Sequence, residues 1–244
     1  MVSVPLQVGV VVHSFISTML KRLLKKPDLP VDTQRLAVYV RRKVVEQHRR
    51  ADYAEIYYGH GTQIDTEEMT GTVLTGITNL IESDRFEWLA QQASAATEPW
   101  IIDPEGFGET RVEGLKAYCK VDFIIPTQDH LHILDWKTGK EREYKHSIQM
   151  RGYAAWASCH YDAQLDTITP TVAYLLPDYH ETSVELNEYD MQDFATLVRK
   201  QTQEMYVVCS DVDENVPLSK DRFPQTQIEQ LCEYCNFREL CGRT

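Results

Sequence analysis

The sequence predicts an α/β fold: a mixed central sheet flanked by helices, with a helical insertion and a cysteine-containing C-terminal clasp. Three observations predict it. Residues 5–26 carry apolar side chains at helical spacing. Two short apolar runs, Lys120–Pro126 and Leu131–Lys137, flank the polar tip Thr127–His130. A near-continuous apolar run, Thr171–Leu176, follows a second helical stretch and suits a buried strand. In order this reads helix, three strands, helix, strand, on a chain of 244 residues that can hold one sizeable core.

The first helix rests on two interleaved stripes: Val11, Phe15, Met19 and Leu23, then Val12, Ile16, Leu20 and Leu24. Basic residues close it, and Pro27 and Pro30 suit a stop. Residues 32–96 are mostly helical in character and are read as an insertion. Asp32 or Thr33 caps a helix through Arg50, Gly59–Thr62 marks a loop, and Thr66–Leu80 returns to helix. Arg41–Lys43 and His48–Arg50 are the most basic part of the chain. They are read first as a solvated helix face, with phosphate contact as the alternative. Pro99–Asp103 is a short strand, 103–106 a turn, and Arg111–Ala117 leads into Lys120–Ile125. Glu143–His160 is a helix. Ser183–Leu186 pairs beside the Thr171–Leu176 strand, and Tyr189–Cys209 is a helix with Phe194, Leu197 and Val198 inward.

The paired runs around Thr127–His130 read as a hairpin with a four-residue loop. Pro126 then faces Leu131, and counting back along both strands Asp122 faces Asp135. Side chains alternate along a strand, so Lys137 shares the face of Asp135. Opposed residues lie roughly 5 Å apart at Cβ, where like charges repel. Such a pair calls for a counter-charge, and a hard divalent cation is the usual one. An isolated Asp-x-Lys on a strand is otherwise a solvated pair, and Gln149 and Tyr153 are otherwise neighbours on a helix face.

Taken together, these residues resemble a known family. An aspartate on one strand, Asp135-Trp136-Lys137-Thr138-Gly139 on the next and Gln149-x-x-x-Tyr153 on the following helix resemble the RecB-type branch of the PD-(D/E)XK nuclease superfamily. Gly9-x-x-x-His13 is similar to the motif that opens that core, although a lone His on an apolar helix is ordinarily a satisfied boundary residue. Glu98-Pro99 resembles the acidic opening of the first strand. Where the family often has Gly, three residues before the first Asp, this chain has Cys119. The resemblance implies a restriction-endonuclease-like core in a single nuclease domain over 1–244, with the insertion at about 32–96 and the clasp at about 210–244. It implies that His13, Asp122 and Asp135 hold Mg2+ or Mn2+, with the Trp136 carbonyl as a further ligand. Lys137 would orient water or stabilise charge, and Gln149 and Tyr153 would support the site or touch the phosphate. The activity implied is cutting of DNA, by an exonuclease on single strands or duplex ends, in repair, recombination or CRISPR adaptation beside a helicase or CRISPR partner.

Cys232, Cys235 and Cys241 follow a Cys-x2-Cys-x5-Cys spacing that lets thiolates converge on one centre. The spacing resembles the iron–sulfur clasp of AddB-type and CRISPR-associated nucleases, which implies a 4Fe–4S cluster, with Zn2+ as the alternative. The family's fourth cysteine lies upstream of Gly-x-x-x-His, where this chain has none. Cys209 is the first candidate replacement, an incomplete chain or a three-ligand cluster the others. Cys119 and Cys159 read as buried thiols.

Composition bounds the rest. Net charge is −12, from 25 basic and 37 acidic residues. A nucleic-acid binder more often presents a basic surface, so the charge favours weak intrinsic DNA affinity, a local basic groove or a non-catalytic DNA-end or partner-docking module. A fragment of a larger helicase–nuclease is the third reading. No Gly-x4-Gly-Lys-Ser/Thr motif occurs. No uninterrupted run approaches the roughly 20 apolar residues of a membrane helix, and the N-terminus lacks the charged start of a signal peptide. A cytoplasmic protein with no membrane partner is the expectation.

Overall fold

The structure is a computed structural model, and it describes residues 1–106, 108–112, 114–233 and 235–243. Helix α1 spans Val4–Lys25. The Ser3 side chain accepts the Leu6 N–H, and Pro5 sits in the first turn, where its missing N–H costs nothing. The helix is long and apolar enough to cross a bilayer, but its apolar stripe, with Val12, Ile16 and Leu20, is buried in the core. Helices α2 (Thr33–His48), α3 (Ala54–Tyr57), α4 (Thr66–Ile81) and α5 (Asp84–Ala95) follow it. Asp32, Asp65 and Ser83 cap α2, α4 and α5 by accepting the N–H groups of their first turns. Helix α4 packs against both α1 and α2.

The central sheet has five strands in the order β1 (Ile101–Ile102), β4 (Phe123–Pro126), β5 (Leu131–Lys137), β6 (Ile168–Tyr174) and β7 (His180–Ser183). Neighbours are antiparallel except β5 and β6, which run parallel and are joined through α6 (Glu143–Tyr161). A parallel pair needs such a crossover. The hairpin register is the expected one, with Pro126 opposite Leu131 and Phe123 opposite Leu134. Alternation sends Phe123, Ile125, Leu134 and Trp136 to the core shared with α1, α2, α4 and α5. Ile124 and Ile133 go to a second core beneath α6, with Met150 and Ala154. The fold is therefore the mixed α/β, restriction-endonuclease-like architecture read from the sequence.

Several boundaries differ. Residues 108–119 form their own two-stranded ribbon, β2 (Gly108–Val112) and β3 (Leu115–Cys119), rather than a lead into the sheet. A Cβ on Gly108 would lie 2.6 Å from Nε1 of Trp156 on α6, so only glycine permits this approach. The edge strand β7 lies at 180–183 instead of 183–186, because Tyr174 pairs with His180. On α7 (Glu188–Tyr206), Ala195 is the buried residue, and Phe194, Leu197 and Val198 are half-buried. Cys119 is buried, with its thiol pushed up to about 11 by burial, whereas Cys159 is exposed. Strands β8 (Cys209–Asp211) and β9 (Val216–Pro217) precede a tail of short 3-10 turns. The tail rests on α3: the Tyr58 hydroxyl donates to the Cys235 carbonyl at 2.6 Å, the Tyr57 hydroxyl donates to Glu239, and Arg238 lies over the Tyr58 ring at 5.2 Å.

Candidate active site

The end of the β4–β5 hairpin away from its loop gathers the predicted side chains. Asp122 lies just before β4. Its backbone carbonyl accepts the Asp103 N–H at 2.8 Å, which ties it to the neighbouring strand's exit. One carboxylate oxygen accepts the Trp136 N–H at 3.0 Å, across the hairpin. The other lies 3.2 Å from Nδ1 of His13, delivered by α1. His13 Nε2 lies 2.9 Å from the Trp136 carbonyl. Both partners of the ring are oxygens, an arrangement that favours the doubly protonated imidazole. Burial pulls its pKa down, but the Asp122 hydrogen bond and charge, the Asp135 charge and the Trp136 carbonyl outweigh burial and raise it.

Asp135, on β5, is 1% exposed. One oxygen accepts the Gln149 amide at 3.2 Å. The other lies 2.6 Å from Lys137 Nζ, held by charge without a well-aligned hydrogen bond. Burial pushes the Asp135 pKa up to about 6. The charge of Asp122 adds to this, and Lys137 and His13 oppose it. Lys137 donates to the Gln149 oxygen at 2.9 Å. Gln149 donates to the Tyr153 hydroxyl at 2.6 Å, and that hydroxyl donates to the Lys120 carbonyl at 2.7 Å. Burial is the chief reason the Tyr153 pKa is raised. Spacing of four along α6 puts Gln149 and Tyr153 on one face, and that face meets the β5 face carrying Asp135 and Lys137.

The donor set suits a hard cation. Two facing carboxylates and the Trp136 carbonyl offer oxygen only. The burial of Asp135 and its repulsion by the Asp122 charge are the electrostatic condition a divalent cation relieves. Among the described residues no group of three or more His, Cys, Asp or Glu converges to hold a metal. His13, the further expected ligand, stands at the same place, its ring nitrogens 3.2 Å from Asp122 and 2.9 Å from the Trp136 carbonyl.

The expected cysteine centre finds no support here: among the described residues no group of Cys232, Cys235 and Cys241 that could hold a metal is formed. The Cys232 thiol accepts from Arg243 at 3.3 Å, Cys241 is exposed, and the Cys209 thiol, at the start of β8, donates to the Met205 carbonyl near the end of α7 at 3.5 Å. Glu98 is a correction. It lines a cavity with Pro126 and Gln128 at the hairpin loop, the end opposite Asp122. The reading also passed over His146 and Tyr174. Tyr174 is the register partner of Lys137, and its hydroxyl lies 2.7 Å from His146 Nδ1. The signal available was the three-residue step from His146 to Gln149.

A family model described as the PD-(D/E)XK nuclease superfamily matches residues 2–242. No curated protein matches the chain. Among solved structures, one titled "Crystal structure of SSO0001" is similar at 14% identity, over 84% of this chain and 96% of that one, with a TM-score of 0.35.

Proposed function

The chain belongs to the PD-(D/E)XK nuclease superfamily, and from that premise we propose that it is a divalent-metal-dependent deoxyribonuclease acting as an exonuclease on single strands or duplex ends. The observation that carries this reading is the contact of Lys137 with both Asp135, at 2.6 Å, and Gln149, at 2.9 Å, beside the Asp122 carboxylate. Asp122 and Asp135 would hold Mg2+ or Mn2+, with the Trp136 carbonyl beside them; when bound, the ion supplies Lewis-acid polarisation of the phosphate and an activated water.

The chain's own residues do the rest. Lys137 is fixed by two acceptors and presents a cation where negative charge develops on the phosphate. With its amine held between Asp135 and Gln149, it orients and stabilises. Gln149 fixes the lysine, and Tyr153 fixes Gln149. His13 holds Asp122 in place. The resemblance offers repair, recombination and CRISPR adaptation as settings, with a helicase or adaptation protein as partner. The cysteine tail has no part in this reading.

The test is cleavage of single-stranded and open-ended duplex DNA with Mn2+, beside Lys137→Ala. Cutting that falls about 100- to 1,000-fold in the variant is expected, the magnitude of a lost charge-stabilising donor. DNA left intact by the unaltered protein would instead favour the docking module, which the net charge of −12 supports. An Asp135→Asn variant separates the two further, since the docking module does not need that carboxylate to hold DNA.

A further inference from the structure

Outside the site, one surface breaks the chain's acidic balance. An open groove of about 840 Å³ runs along α2 and is lined by Arg41, Arg42, Val45, Arg49, Arg50 and Leu74. On α2, Val38, Arg42, Val45 and Arg49 follow at steps of four, three and four residues, so they form one stripe. The stripe alternates apolar and guanidinium groups. Arg42 and Arg49 stand two turns apart, about 10 Å along the axis. Val38 is 71% exposed and so open to a ligand in the groove.

The arginines are available. Arg42 lies over the Tyr39 ring at 5.4 Å, and Arg49 pairs with no carboxylate among the described residues. Arg41 meets Glu67 at 2.9 Å and Arg50 meets Glu46 at 3.1 Å, with both arginines well exposed. Exposed pairs of this kind are worth little and exchange readily for a phosphate. Guanidinium matches phosphate in a two-point fork.

We propose that the α2 groove is a binding track for single-stranded nucleic acid, outside the candidate active site. The inference rests on the nuclease reading and deepens it by placing part of the substrate strand. Phosphates meet Arg42 and Arg49, and unpaired bases lie on the floor of Val38, Val45 and Leu74. A duplex would present phosphates and leave that floor uncovered. An acidic peptide would satisfy the arginines but gives no reason for the alternating valines. Helix α2 packs against α1, which carries His13, so the track is fixed to the body that holds the site.

The experiment is fluorescence anisotropy of a labelled oligodeoxythymidylate with the full chain in EDTA, where no strand is cut, over a salt series. Arg42→Ala/Arg49→Ala is expected to weaken binding at least tenfold. Its log-affinity against log-salt slope should be shallower by about 1.4, for two lost phosphate contacts on a single strand. Val38→Asp should also weaken binding, by adding charge to the floor without removing an arginine. An unchanged melting temperature establishes that each variant is folded, as the exposure of these positions leads one to expect. Equal affinity and slope in the double-arginine variant would overturn the proposal. So would displacement of the strand by polyglutamate at matched charge. Adding Mn2+ afterwards reads the nuclease separately. Strand binding through the arginines without cutting sinks the nuclease reading and leaves the track standing. Cutting with binding indifferent to Arg42 and Arg49 does the reverse.

Discussion

Gln149 uses a single amide in three directions. Its oxygen accepts from Lys137, and its nitrogen donates to Asp135 and to Tyr153. The lysine's position is therefore set by a residue that itself depends on the Tyr153 hydroxyl, anchored on the Lys120 carbonyl. Tyr153→Phe removes that anchor and leaves a carbonyl without its donor. It should cost about 1 kcal/mol in urea unfolding and should lower kcat more than it raises KM, because the loss falls on a group that acts on developing charge. A change confined to stability would show that Gln149 holds its place without the hydroxyl. The sequence made Asp122, Asp135, Lys137, Gln149 and Tyr153 readable, because a two-residue and a four-residue period fix which side chains share a face. It could not show that His13 would meet two acceptors at once. That arrangement depends on the depth at which α1 crosses the sheet, which is set by packing.

At the level of elements, the hairpin register was legible to the residue, since an apolar hairpin of known loop length has one pairing that keeps its core face inward. The β2–β3 ribbon was not. Its strands are only part-buried, so hydrophobic alternation is faint there. The ribbon docks on α6 through the contact of Gly108 with Trp156. Gly108→Ala would drive a methyl to 2.6 Å from the indole nitrogen. A loss of about 1–3 kcal/mol is expected from such overpacking, read as a lower denaturant midpoint with unchanged slope. The cysteine spacing tells how near thiols can come along the chain, not how the short 3-10 turns that carry Cys232 and Cys241 aim them.

For the whole molecule, charge gathers at the paired acids of the site, on the α2 arginines and in partly buried ion pairs, Arg151 with Asp190 and, at the sheet's far edge, Arg85 with Glu181. There Arg85 holds both oxygens of Glu181, at 2.7 and 2.6 Å, and the Tyr179 hydroxyl donates to the same carboxylate. Burial raises the Glu181 pKa, but Arg85 and Tyr179 outweigh it and the net shift is downward. A carboxylate lowered in the folded state stabilises above its unfolded pKa and loses that contribution as pH falls through the folded value. Arg85→Met leaves the acid without its partner and should cost about 3 kcal/mol at neutral pH. The gap to the unaltered protein should narrow in acid, as Glu181 takes up a proton in the variant. Stability curves at two pH values check this. At the candidate site, Mn2+ should raise the melting temperature. At a hundredfold excess over Kd the gain is about 2.7 kcal/mol, and Asp122→Asn/Asp135→Asn should abolish it.

Asp122 also closes the structure locally: its carbonyl receives Asp103 and its carboxylate receives Trp136. This double duty has a consequence for descent. A lineage that gives up cutting can let Lys137 drift, because nothing across the hairpin hangs on its amine. It cannot discard the side-chain acceptor at 122 without leaving the Trp136 N–H unpaired and His13 without its partner. Asparagine is the escape that keeps the shape and the acceptor while dropping the charge. Retired copies of this fold are thus expected to betray themselves first at the lysine, and to keep Asp or Asn at 122 long after their chemistry has gone.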